Sequence, residues 1–107
     1  MSSIKNGVIQ YSLEELKRAL AEGSMKPIDV RTEEEYQEGH ILGVPLYTMQ
    51  QVTEWVDDLD KNDPYILICR SGNRSQKVAE FLKQNGFETV GSFDGGMLKW
   101  DGEVEKG

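Results

Sequence analysis

One cysteine, two arginines and a glycine fall within six positions, in the run Cys69-Arg70-Ser71-Gly72-Asn73-Arg74-Ser75. A cysteine is nucleophilic as its thiolate, so what matters is whether its surroundings favour an anion. Arg70 and Arg74 are permanently cationic. Gly72 permits a tight turn in which backbone N–H groups converge. A helix starting at this point adds its free N–H groups and its dipole to the same field. Such a loop holds a thiol below its free pKa of about 8.5 and doubles as a cradle for an anionic substrate. The expected chemistry is nucleophilic attack by Cys69, with Arg70, Ser71, Gly72, Asn73, Arg74 and Ser75 as the binding loop. A buried structural cysteine ending a core strand is the plain alternative.

The flanking segments supply the strand and the helix that this reading needs. Tyr65-Ile66-Leu67-Ile68 is apolar without alternation and follows Pro64, the pattern of a strand buried on both faces. After the loop, Val78, Phe81 and Leu82 share one helical stripe, and Gly86 stops the helix. The cysteine therefore stands at the C-terminal end of a central strand, where open α/β sheets place their chemistry.

Elsewhere strands and helices alternate. Val8-Ile9-Gln10 reads as a first strand. Ser12 to Glu15 is a capping box, with Tyr11 and Leu16 as a hydrophobic staple and Gly23 as the stop. Pro27 to Val30 reads as a second strand, and Thr32 to Glu35 as a second capping box closed by Gly39. Val44-Pro45-Leu46 reads as a third, edge strand because it holds a proline. Thr48 to Gln51 reads as a third capping box, ahead of Val52, Trp55, Val56 and Leu59 at helical spacing. Thr89 to Phe93 is the last strand, followed by a short helix carrying Trp100. Residues 102–107 are polar and expected to fray. The result is a mostly parallel five-stranded sheet with helices on both faces.

Composition narrows the function. At 107 residues the chain is expected to form one domain, 1–107. A net charge of −7 argues against nucleic acid as a partner. No apolar run approaches the ~20 residues that span a membrane, and Met1 to Lys5 lack a signal-peptide core, so a cytoplasmic location is expected. A single cysteine cannot close an internal disulfide, and one cysteine with one histidine makes no zinc set. No metal or cofactor is expected.

The run Cys-x-x-Gly-x-Arg-Ser at a strand-to-helix turn resembles the active-site loop of the rhodanese (sulfurtransferase) family. Ile28-Asp29-Val30-Arg31, Glu35-Tyr36 with Gly39-His40-Ile41, and Gly95-Gly96-Met97 with Trp100 resemble further segments of that family, in family order. The resemblance implies a rhodanese-like fold with strand order 1-5-4-2-3. It also implies a sulfurtransferase that takes sulfane sulfur from thiosulfate or another persulfide donor. A Cys69 persulfide then passes the sulfur to a thiol, a protein thiol or cyanide.

Two other readings share these parts. A cysteine phosphatase or arsenate reductase uses the same thiolate and cradle, but four residues separate Cys69 from Arg74, one short of the phosphatase pattern. A non-catalytic rhodanese-like binding module generally lacks the cysteine that this chain keeps. Asp29 and Arg31, at a strand end, are expected to support the site as an ion pair, and His40 to be structural rather than a general base. Trp55 and Trp100 are expected to pack, and Asp57, Asp58, Asp60 and Asp63 to form a solvated turn.

Overall fold

The computed structural model describes residues 3–107. Met1 and Ser2, part of the start read above as lacking a signal-peptide core, lie outside the described residues.

The sheet is built on Tyr65–Ile68 (β5), whose four side chains are all buried. Period-two alternation sends Tyr65, Leu67 and Cys69 into one core cluster and Ile66 and Ile68 into another. The helix Asn73–Gln84 (α4) covers the first face with Val78, Ala79 and Leu82. The helix Leu13–Glu22 (α1) covers the second with Leu16. Neighbours of β5 are Val90–Phe93 (β6) and Lys26–Asp29 (β3), both parallel to it. Val8–Tyr11 (β2) lies parallel to β6 on the far side. Helices thus flank both faces of a mostly parallel sheet, as expected.

The fifth strand differs from expectation. It is Ser3–Lys5 (β1), antiparallel to β2 across an Asn6-Gly7 turn in which both residues have positive φ (52° and 81°). β1 is exposed at all three positions and is held by its backbone pairing, so no apolar pattern announces it. Val44-Pro45-Leu46 is not a full strand. Leu46 forms a single parallel bridge to Asp29, with Asp29 N–H to Pro45 O at 2.9 Å and Tyr47 N–H to Asp29 O at 2.8 Å. Pro45 has no N–H, which limits the ladder. The sheet order is β1-β2-β6-β5-β3. The implied order holds for four strands, and the segment at 44–46 sits beside β3 as that bridge.

Two of the three capping boxes form, at Ser12–Glu15 and at Thr32–Glu35; the second opens Glu33–Glu38 (α2). The third does not. Thr48 Oγ1 donates to Gln51 Oε1 instead of capping a backbone N–H, and 49–51 is a 3₁₀ turn. The helical spacing after it resolves into one α-turn, Val52–Trp55 (α3), and a second 3₁₀ turn, Val56–Asp58. Val52, Trp55, Val56 and Leu59 still pack on the first core, and Trp55 Nε1 donates to Thr48 O at 2.8 Å.

Residues 102–107 are not a frayed tail. Val104–Glu105 (β7) pair antiparallel with His40–Ile41 (β4). Backbone pairing, Trp100 Nε1 to Glu103 O at 3.1 Å and Gly107 N–H to Gln37 O at 2.9 Å hold this polar segment without apolar burial.

Candidate active site

Cys69 follows β5 directly and has no solvent exposure. Gly72, the N-cap of α4, turns at φ 100° and aims its N–H at Cys69 Sγ, 3.0 Å away. The helical ladder begins with Gln76 N–H to Gly72 O at 3.2 Å, so the N–H groups of Asn73, Arg74 and Ser75 lie ahead of it. Arg70, Ser71 and Asn73 are exposed at the rim of the loop.

Beneath the loop, Cys69 Sγ lies 3.4 Å from Ser75 Oγ, and Ser75 Oγ lies 2.6 Å from Ser92 Oγ on β6. All three residues are fully buried. Ser75 Oγ also reaches Gly72 O at 3.2 Å. The pair of hydroxyls gives the sulfur a polar floor inside an otherwise apolar core. With the thiol protonated, S–H donates to Ser75; a thiolate takes a proton-bearing hydroxyl in return.

The loop is also backed from outside. Met97 N–H donates to Cys69 O at 2.8 Å and Leu98 N–H to Arg70 O at 3.0 Å. This contact needs a glycine at 96, where φ is +58° and an added Cβ would stand 2.4 Å from Cys69 O. The Gly-Gly-Met segment at 95–97 is therefore a clamp on the loop backbone.

Arg74 does not present a free charge. Its Nη1 and Nη2 meet Glu35 Oε1 and Oε2 at 2.6 and 2.8 Å, a bidentate fork. Glu35 Oε1 accepts in addition from the N–H and Oγ1 of Thr32, both at 3.1 Å. The Arg74 guanidinium and the Thr32 donors hold the Glu35 carboxyl at about 2, against an ordinary 4.5. Arg74 is raised in turn, chiefly by its hydrogen bonds to Glu35.

Because the folded carboxyl titrates below the unfolded one, the Glu35 contribution is present above about pH 4.5 and is lost as pH falls toward about 2. The full shift corresponds to roughly 3 kcal/mol, and partial exposure of both side chains reduces this to about 1–2 kcal/mol. Urea unfolding should show that the native chain loses about that much more stability than Glu35→Gln between pH 5 and pH 2. Equal losses would mean that the pair contributes nothing to the acid limb.

The remaining expected residues sit apart from the sulfur's hydrogen bonds. Arg31 forks onto Asp29, with Nη2 to Oδ2 at 2.8 Å and Nε to Oδ1 at 3.0 Å, and its Nη2 also donates to Gly39 O at 2.8 Å. The pair is buried and ties the end of β3 to the end of α2. His40 is buried, stacks on Tyr36 at a centroid distance of 3.6 Å, and donates from Nδ1 to Tyr36 O at 2.9 Å. Its Nε2 meets Glu105 Oε1 at 3.2 Å. Glu35, which the sequence shows only in a capping box and beside Tyr36, and Ser92 join the site without a local sign of that role. The nearest hint of Ser92 is that it is polar inside the buried run Val90-Gly91-Ser92-Phe93.

A model of the rhodanese-like domain matches residues 12–103. The protein YtwF of Bacillus subtilis is 44% identical over 78 residues, covering 73% of this chain and 75% of its own. The thiosulfate sulfurtransferase GlpE of Pseudomonas paraeruginosa is 34% identical over 86 residues, covering 80% of this chain and 78% of its own. The crystal structure of a rhodanese-like domain protein from Staphylococcus aureus superposes with a TM-score of 0.83 at 34% identity, covering 92% of this chain and 97% of that one. The match of the family model over most of the chain, together with these relatives, shows that the chain belongs to the rhodanese-like domain family.

Proposed function

We propose that this chain moves sulfane sulfur from thiosulfate or another persulfide donor to a thiol, a protein thiol or cyanide, through a persulfide on Cys69. The observation that carries the reading is the Gly72 N–H directed at the Cys69 sulfur at 3.0 Å, between a buried strand and the N-terminus of α4.

The chemistry proceeds in two displacements. The Cys69 thiolate attacks the outer sulfur of thiosulfate. A sulfur–sulfur bond forms to Cys69, the bond from outer sulfur to sulfite breaks, and sulfite leaves with the electron pair. The new terminal sulfur is anionic. The N–H groups of Asn73, Arg74 and Ser75 stabilise it as an oxyanion hole stabilises oxygen. Arg70, exposed at the rim, receives the anionic donor. Cys69 has no exposure, so a donor touches the sulfur only when the loop over it opens. An external thiolate or cyanide then attacks the terminal sulfur, and the Cys69 thiolate departs. These 107 residues hold one cysteine, so the resolving thiol lies outside them. Asp29, Arg31 and His40 act at one remove, by fixing the segments around Glu35 and the loop. The single cysteine suits a reducing compartment, and the cytosol is the location we favour. No helix among the described residues is long and apolar enough to cross a membrane.

Two-substrate kinetics with thiosulfate and cyanide test the scheme. Parallel double-reciprocal lines are expected, because donor product leaves before acceptor binds. Intersecting lines would contradict a persulfide intermediate. Hydrolysis of an aryl phosphate without sulfur transfer would favour the phosphatase reading.

A further inference from the structure

We propose that Glu35 is a specificity-determining residue: by occupying the Arg74 fork it disfavours small dianionic donors such as thiosulfate and leaves the site to organic persulfides. The carbon body of such a donor would sit in the hollow beside Arg74. This inference rests on the sulfur-transfer reading above and names its donor class.

The geometry of Glu35 carries the argument. Both of its oxygens are bound to Arg74, and Oε1 is fixed further by two donors from Thr32. The carboxylate is therefore a built part of the site and not a chance partner. A donor approaching Arg74 meets a pair with no net charge. A bare Arg74 would attract a dianion about twice as strongly as a monoanion at the same distance, and the bound carboxylate cancels that advantage. The loop retains Arg70 as an exposed cation and its backbone N–H groups, which together suit a donor of low charge.

The surface beside Arg74 fits the rest of such a donor. A hollow of about 270 Å³ opens there, lined by Val30, Arg31, Thr32, Thr48, Met49, Gln50 and Arg74. Its exposed lining is mostly hydrocarbon, with Arg31 and Arg74 both in its wall. Thiosulfate has no hydrocarbon to lay on that surface, whereas cysteine persulfide has its methylene, with a carboxylate within reach of the arginines. The transfer balances without an oxidant. The Cys69 thiolate attacks the terminal sulfur of R–S–SH, a new sulfur–sulfur bond forms, and the R–S to sulfur bond breaks. RS⁻ leaves and takes the proton from the transferred sulfur, so RSH departs and Cys69 keeps an anionic persulfide.

The test compares single-turnover loading of Cys69 by thiosulfate and by cysteine persulfide. In Glu35→Gln, the amide still accepts from Thr32 and fills the same volume. The rate ratio should shift toward thiosulfate by at least about tenfold, the scale expected for removing one unit charge near a bound dianion. The gain should appear as tighter apparent binding of thiosulfate rather than a faster limiting rate. In Met49→Ala, loading by cysteine persulfide should weaken severalfold through apparent affinity, while loading by thiosulfate stays as it was. If Glu35→Gln slows both donors alike, Glu35 only orients Arg74 and the inference fails. It fails equally if Met49→Ala affects both donors alike. If neither donor loads Cys69 in the native chain, the sulfur-transfer reading itself is overturned.

Discussion

Cys69→Ser should fold as the native chain does and transfer no sulfur. The substitution changes one atom at a site with no solvent exposure. A hydroxyl can take both of the sulfur's partners, the Gly72 N–H and Ser75 Oγ. The expected loss of stability is therefore small, about 1 kcal/mol. Transfer should fall to the uncatalysed rate, because a serine hydroxyl forms no persulfide and nothing else in the chain replaces it. Urea unfolding and thiosulfate:cyanide turnover measure the two effects separately. Activity well above background in a folded Cys69→Ser protein would remove Cys69 from the mechanism.

The second large effect is expected at Gly96. Its φ of +58° is strained for a residue with a side chain, and the Cβ of alanine would collide with Cys69 O at 2.4 Å and Arg70 C at 2.6 Å. Those atoms are backbone and belong to the loop itself, so no flexible side chain can move aside. Gly96→Ala must either displace the 95–98 turn, losing the bonds from Met97 and Leu98 to the loop carbonyls, or push the loop off the sulfur. Either route should cost roughly 3 kcal/mol of stability. A shift of the Gly72 N–H away from the sulfur should also lower transfer at least about a hundredfold, the usual scale for a lost anion-stabilising donor. Urea unfolding and turnover on the folded fraction check both numbers. Native stability with native turnover would show that the turn does not hold the loop.

What could be read in advance was what depends on neighbours in sequence. β5 announces itself because both of its faces are buried, so four apolar residues run without a break. The boxes at Ser12 and Thr32 form because each closes within three residues. The same signal misled at Thr48, where the hydroxyl turned to the Gln51 side chain and the segment took 3₁₀ turns. β1 and β7 escaped for a different reason: both are exposed and held by backbone pairing, which leaves no hydrophobic pattern. The site divides in the same way. The Cys69 loop is contiguous and was legible whole. The fork between Glu35 and Arg74 joins residues 39 apart, and the contact of Ser75 with Ser92 crosses from α4 to β6. Neither pairing has a local signature, so the sequence shows Arg74 only as a cation of the loop and Ser92 only as a residue of the last strand.

The central claim is a persulfide on Cys69, and the mass of the protein tests it most directly. The native chain is incubated with thiosulfate in excess, freed of donor, and weighed intact and as the peptide containing Cys69. The account predicts a gain of one sulfur atom on that peptide, removed by cyanide or an added thiol and absent from Cys69→Ser. Turnover of thiosulfate with no sulfur gained on Cys69, or with the sulfur carried elsewhere, would contradict it.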